Sequence, residues 1–317
     1  MRMNRLLAAS MLSLLCAGSA AAQEGAGVSG AVVLQLPAGG RAAALSGAYT
    51  AAHGDPDALF YNPAGLRTID AAASLSYQQH VADIGAASVS GAMRIGRVNI
   101  GLGVAFLDGG DIAVVEPDPT YGGQTGIETG ASVGASEVAA RVGAALPIGA
   151  DLTVGATAGL VSVSLAEASR TAATFDVGAQ YALSFVTLGA VVRNIGGALS
   201  GAGLADAPLP TEARLGAMVD WQRADGWGAS LSADIVSALE EKTTGVLLGV
   251  EAGLVPGAAS NVSAVARVGF DGMQAEDGLG ALRIGAGIGF ASVGLDYAYQ
   301  DFDAFGGVHR IGLRWSR

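Results

Sequence analysis

Charged side chains recur at positions where the local pattern is otherwise glycine, alanine or serine. They are Arg141, Asp176, Arg193, Glu212, Arg214, Asp220, Asp234, Glu251, Arg267, Arg283, Asp296, Arg310 and Arg314. Seven are arginines and six are acids. Two signs in near balance suit mutual pairing, because charges removed from water need partners. Two uses follow: a ladder of ion pairs that holds parts of a protein together, or a ring that selects what passes by its charge. Other chemistry has less to stand on. His53, His80 and His309 are scattered and form no His-x-x-x-His metal spacing. Ser74, Ser76 and Asp83 lie near His80, but alternation puts several of these on different faces, so no nucleophile–base pair is formed. The glycine-rich piece 285–289 continues an alternating strand and lacks the strand-to-helix context of a phosphate loop. The expectation is no enzyme, no catalytic residue, no metal and no cofactor.

The elements that carry the charged set have period two. Val98, Ile100, Leu102, Val104 and Phe106 alternate with Asn99, Gly101, Gly103 and Ala105. Leu282, Ile284, Ala286, Ile288 and Phe290 alternate with Arg283, Gly285, Gly287 and Gly289. Successive side chains of a strand point to opposite sides, so each ribbon has one greasy face and one small or polar face. A soluble sandwich alternates too, but its outer face is rich in lysine, glutamate and threonine. Here the second face is mostly glycine, alanine and serine, and Lys242 is the sole lysine of the chain. That composition fits a crowded, partly polar lumen. The fold expected is all-β: a transmembrane antiparallel β-barrel with its greasy face in outer-membrane lipid. Beyond the first residues, no apolar run reaches the ~18–20 residues of a membrane helix.

Fourteen such runs are read, at 71–80, 85–95, 98–107, 136–146, 151–164, 171–182, 185–195, 210–221, 226–239, 242–252, 260–270, 279–290, 291–300 and 307–315. Their connections alternate between tight and long. The long set includes 108–135, 165–170, 196–209, 271–280 and 301–306, and 253–259 is long where a short one is expected. Outer-membrane barrels have short turns at one end and longer loops at the other. The acidic residues of 108–135 match no EF-hand spacing and read as a solvated loop. Trp221, Trp227, Tyr297, Tyr299, Phe302 and Trp315 fall near run ends, where an aromatic girdle belongs.

The stretch 37–68 does not alternate. Asp55 can cap free backbone N–H groups with Pro56 at the first helical position, and Asn62-Pro63-Ala64-Gly65 reads as a turn. It is expected to be a compact, partly helical luminal plug, with Arg41, His53, Asp55, Asp57 and Arg67 as partners for the inward charges. The plug motif is Arg41, Asp55, Pro56, Asp57, Asn62, Pro63, Ala64 and Gly65. The organisation expected is a signal peptide at 1–22, an N-terminal segment and plug at 23–68, and an outer-membrane β-barrel at 69–317.

This motif resembles the N-terminal signature of FadL-like outer-membrane proteins, in particular the PorV/PorQ branch. Later pieces are similar in the same order: Val192 to Gly197, Leu209 to Glu212 with Arg214 to Gly216, Gly249 to Glu251, Asp296 to Phe302, and His309 to Ile311. The resemblance implies a barrel of about fourteen strands, plugged by its N-terminal segment, in a bacterial outer membrane. It implies binding or passage of small hydrophobic molecules. The alternative it implies is a PorV-like partner or shuttle that meets secretion machinery or cargo proteins and transports little.

Residues 1–22 carry Arg2 and Arg5, an apolar core and Ala20-Ala21-Ala22, the pattern of a Sec-type signal peptide. Cys16, the one cysteine, lies within it behind Leu15, which argues against a lipid anchor. Removing the two leader arginines takes the formal charge from −11 to −13. An acidic chain without basic clusters is a poor nucleic-acid binder.

Overall fold

The computed structural model describes residues 28–79, 84–201, 206–223, 226–254, 261–276, 280–302 and 306–317. The expected leader and His80 lie outside them. Fourteen strands form one closed antiparallel barrel in chain order. They are β1 Ala71–Gln79, β2 Gly85–Ile95, β3 Val98–Pro117, β4 Gly126–Ile148, β5 Leu152–Leu165, β6 Ala168–Leu183 and β7 Val186–Gly196. They continue as β8 Glu212–Gln222, β9 Trp227–Ala238, β10 Thr243–Leu254, β11 Val262–Asp271, β12 Leu282–Phe290, β13 Val293–Asp301 and β14 Gly307–Ser316. The barrel closes through β1 and β14, paired from Ala72↔Ser316 to Gln79↔His309. Every strand has two neighbours in the barrel, so the wall itself has no free edge.

The two faces are those the alternation predicts. Leu102, Ile288 and Phe290 are 64%, 62% and 69% exposed on the outside. Arg267, Asp234 and Asp296 are buried on the inside. Ten residues at about 3.3 Å each, tilted by about 40°, cover about 25 Å, the height of an outer-membrane apolar band. No described helix is long and apolar enough to cross a membrane.

Two connections differ from the sequence reading. The stretch 108–135 is no loop: β3 and β4 run on past the barrel as a paired ribbon, to Pro117↔Gly126, with register shifts near Asp111 and Val115. Residues 166 and 167 alone join β5 to β6, with Ala166 at φ 54°. A two-residue hairpin with positive φ is usually announced by asparagine or glycine, and neither stands there. The aromatic reading holds for part of the set. Trp221, Trp227 and Trp315 are exposed at the strand ends nearest the short turns. Tyr299 and Phe302, however, border an internal cavity, and Tyr297 stands at the middle of β13.

The core of the molecule lies inside the barrel. Residues 31–69 are almost all buried, and they pack on the inward faces of strands around the wall. The segment begins at the end with the longer connections, where the Gly30 N–H donates to the Pro208 carbonyl at 2.9 Å. It runs the length of the bore to the opposite end, where it joins β1.

Candidate functional site

The segment folds as sequence chemistry predicts. Asp55 caps the 3₁₀ turn Pro56–Phe60 by accepting from Asp57 N–H, and Asn62 caps Pro63–Thr68 by accepting from Ala64 N–H. In both, the proline at the first position has no N–H left to satisfy. Before them, Gly40–Ala44 forms a single helical turn, α1. Its small residues let it lie directly against β12–β14.

Glycine on the wall makes that approach possible. Among the glycines that face one another across neighbouring strands, four pairs lie under the segment: Gly101↔Gly143, Gly155↔Gly178, Gly189↔Gly216 and Gly249↔Gly269. Each member of these pairs stands against the segment. A Cβ on Gly178 would sit 2.2 Å from Asn62 Oδ1, and one on Gly189 would sit 2.3 Å from the Thr50 carbonyl. The small face read from the sequence is therefore the imprint of the segment on the wall.

The charged set is brought together in three groups. In the largest, Arg41 pairs with Glu251 at 3.1 Å, and Glu251 also pairs with Arg267. Arg267 pairs with Asp296 at 2.7 Å, and Asp296 pairs with Arg314. Arg314 reaches Asp55 at 3.9 Å. The path leaves the segment at Arg41, crosses β10, β11, β13 and β14, and returns to the segment at Asp55. In the second group Glu212 lies 2.9 Å from both Arg193 and Arg214, and Arg214 donates to the Gly47 carbonyl at 3.1 Å. In the third, Asp176 pairs with Arg141 at 3.0 Å and accepts from Thr157 and the Asn194 N–H. Asp176 sits at a bulge between β6 and β7, where Arg193 and Asn194 together oppose it.

The remaining members stand apart. Asp234 accepts from the N–H groups of Tyr49 and Thr50, both at 3.0 Å, and from the Thr50 hydroxyl at 2.7 Å. Asp220 is half exposed, 3.7 Å from His53. Arg67 meets neutral partners, Gln180 and Thr187, at 3.2 Å. Arg283 pairs with Asp271 at 2.9 Å. Arg310 donates to Gln78 and Ser76, and no carboxylate lies within ion-pair distance of it among the described residues.

Asp57 meets no cation within ion-pair distance among the described residues. It accepts from Ser90 Oγ at 2.6 Å and Ser74 Oγ at 2.8 Å, which ties the segment to β1 and β2. Burial, with Asp55 nearby, pushes its carboxyl up to about 7. Ser74 was weighed in the sequence as a nucleophile and Ser90 was not singled out; alternation makes both inward positions, of β1 and β2. Gln180 is likewise an inward position, of β6; Tyr49 and Tyr61 had no such signal, since their roles depend on how the segment coils.

Between the start of the segment and its 3₁₀ turns lies a cavity of about 500 Å³. Residues Val32 to Leu36 border it on one side, and Phe60 and Tyr61 on another. That first stretch is tied across the bore: Val33 N–H donates to Glu137 at 2.7 Å, and Arg193 donates to the Leu34 carbonyl at 3.3 Å. Pockets of this size bury most of a small ligand.

No family model matches the sequence, and no curated protein does. Solved structures do match the fold. The Ralstonia pickettii toluene transporter TbuX superposes with a TM-score of 0.60 at 14% identity, over 89% of this chain and 99% of that one. The P. putida toluene transporter TodX gives 0.62 at 12% identity, over 89% and 99%. A Pseudomonas aeruginosa FadL homologue gives 0.53 at 13% identity, over 88% and 98%. At these identities the likeness is one of architecture, and it extends to nearly the whole of each neighbour. This chain has the fold of the FadL-type outer-membrane barrels.

Proposed function

We propose that this chain is a bacterial outer-membrane channel for small hydrophobic molecules, exported by a signal peptide at 1–22 and plugged by its segment 23–68. The observation that carries the reading is the cavity of about 500 Å³ inside an unbroken barrel wall, directly against the segment. A wall with no unpaired strand and an apolar outer face suits lipid. Neighbours described as toluene transporters support the class of cargo. The charged groups then hold the plug in place, because pairs such as Arg41–Glu251 join it to the wall.

The test is uptake of toluene and of a long-chain fatty acid by liposomes carrying the purified protein. Entry faster than into empty liposomes is the expected result. Absence of both binding and entry overturns the reading. The role of a PorV-like secretion partner has no structural observation in its favour. Recovery of secretion machinery or cargo domains by the membrane-inserted protein, without any uptake, would put it in place of the channel.

A further inference from the structure

We infer that the free edge of β3 beyond the barrel wall, residues 111–116, takes an extended polypeptide segment in which basic and apolar residues alternate, added as a third strand of the ribbon. The inference is independent of what the bore passes. β2 stops at Gly85↔Asp108, whereas β3 continues paired with β4 to Pro117↔Gly126. Hydrogen bonds fix which backbone groups face β4. The Gly134 carbonyl accepts from the Ala166 N–H at 2.9 Å, on the β5 side. Gly134 and its partner Asp111 therefore turn their backbone groups away from each other. The Val114 carbonyl faces β4 instead, where it accepts from Thr129 Oγ1 at 3.0 Å. Asp118 N–H likewise donates to the Thr125 carbonyl at 2.8 Å. By alternation Asp111, Ala113 and Val115 present N–H and C=O groups on the open side, and no backbone group among the described residues bonds them there. Pro117 is next in that series and, having no N–H, ends it.

The other edge of the ribbon is not equivalent. β4 carries extra residues at 129–131, with Gly130 at φ 74°, and such a bulge blunts an edge. From Asp111 to Pro117 β3 has no bulge of its own. Side chains then say what the added strand is. One face of the ribbon offers Ile112 and Val114 from β3, with Val133 and Ile127 opposite Ile112 and Glu116. Ile112 and Ile127 are each 50% exposed. The other face carries Asp111 and Glu128. No lysine, arginine or histidine stands anywhere between Arg97 and Arg141. A strand with apolar side chains on the first face and basic ones on the second complements both, while its main chain takes up the free edge groups. The same acids disfavour a second copy of this chain as the occupant, since two such ribbons side by side bring like charges together.

The experiment measures binding of a fluorescent nonapeptide of alternating lysine and valine to the purified protein in detergent, by anisotropy. One control peptide has the same residues in two blocks, and another alternates glutamate with valine. The alternating basic peptide is expected to bind at least about tenfold more tightly than either control, and to weaken as salt is raised. Val115→Pro removes an edge N–H that the β3–β4 ladder does not use, so it should cost the peptide about tenfold in affinity while the ribbon stays paired. Asp111→Asn combined with Glu128→Gln leaves the backbone alone and should narrow the gap between the lysine and glutamate peptides. Each variant is checked for folding by its heat-modified mobility on a gel. Equal affinity of the wild-type protein for the alternating and the blocked lysine peptides overturns the inference without need of a variant, since charge alone would then suffice. So does unchanged binding by Val115→Pro, which would place the peptide elsewhere. If no peptide binds, the acids serve only to keep the edge from pairing and the inference falls. Toluene uptake is measured separately, so the channel reading stands or falls apart from these results.

Discussion

Tyr49 stands between Arg41 and Asp55: its hydroxyl accepts from Arg41 Nη1 at 3.3 Å and donates to Asp55 Oδ2 at 2.7 Å. These are the two residues at which the chain of ion pairs through β10, β11, β13 and β14 enters and leaves the segment. Tyr49 thus closes that chain into a ring, part wall and part segment. Arg41 also lies over the Tyr49 ring, 5.6 Å from its centre.

Replacing Tyr49 by phenylalanine opens the ring at its one uncharged link. The ring shape is kept, but Asp55 loses a donor in a buried place. A cost of about 1–3 kcal/mol is expected. It should be read as a lower urea midpoint for unfolding in liposomes, with an unchanged slope.

The opposed glycines test whether the wall is shaped to the segment. Gly178→Val places carbon where Asn62 Oδ1 now sits, whereas a Cβ at Gly197 meets nothing within 4 Å. Gly178→Val should still form a barrel, because the ladder bonds are between strands. The segment should shift, and the variant should be cut by added protease far faster than Gly197→Val. Equal protection of both would mean that the contact at Gly178 is dispensable.

Leu102→Arg and Ile284→Arg put a charge on the outer face, at a cost of about 2–4 kcal/mol near mid-bilayer. Folding yield into liposomes should fall for both. Gly101→Arg points inward, where Leu59 and Leu66 stand within 3.2 Å of the new Cβ. It should insert with near-normal yield and lose stability instead.

Asp57 makes the hold on the segment depend on pH. Its carboxyl titrates at about 7 in the folded protein, against 3.8 ordinarily. Between those values the native state keeps a proton that the unfolded chain has lost. Its contribution is therefore fully present at low pH, and it declines as pH rises from about 4 to about 7. The unfolding midpoint should be higher at pH 5 than at pH 8, and Asp57→Asn should shrink that difference.

Deleting residues 38–67 removes most of what fills the bore while leaving every strand. The truncated barrel should insert, be less stable, and conduct more ions in a planar bilayer than the intact protein. Unchanged conductance would show that these residues do not obstruct the path.

The strands were legible because a barrel wall needs only local information. A residue such as Leu102 must meet lipid and Gly101 must not, so the period of two is written at every position. The caps at Asp55 and Asn62 were legible for the same reason, since each partner lies two residues away. The two-residue turn at 166–167 escaped notice because no glycine or asparagine marks its positive φ. The ribbon of β3 and β4 escaped because its exposed charges are those of a loop, and only pairing distinguishes the two.

The sequence by itself determined which residues face inward and that the inward charges needed partners. It did not determine the partners. Arg41 and Glu251 are 210 positions apart, and Asp55 and Arg314 are further still. Their meeting depends on how far the segment advances through the bore and on the stagger of fourteen strands, which no local pattern encodes. For the same reason tertiary structure alone set Arg310 beside Gln78 and Ser76, with no carboxylate within ion-pair distance among the described residues.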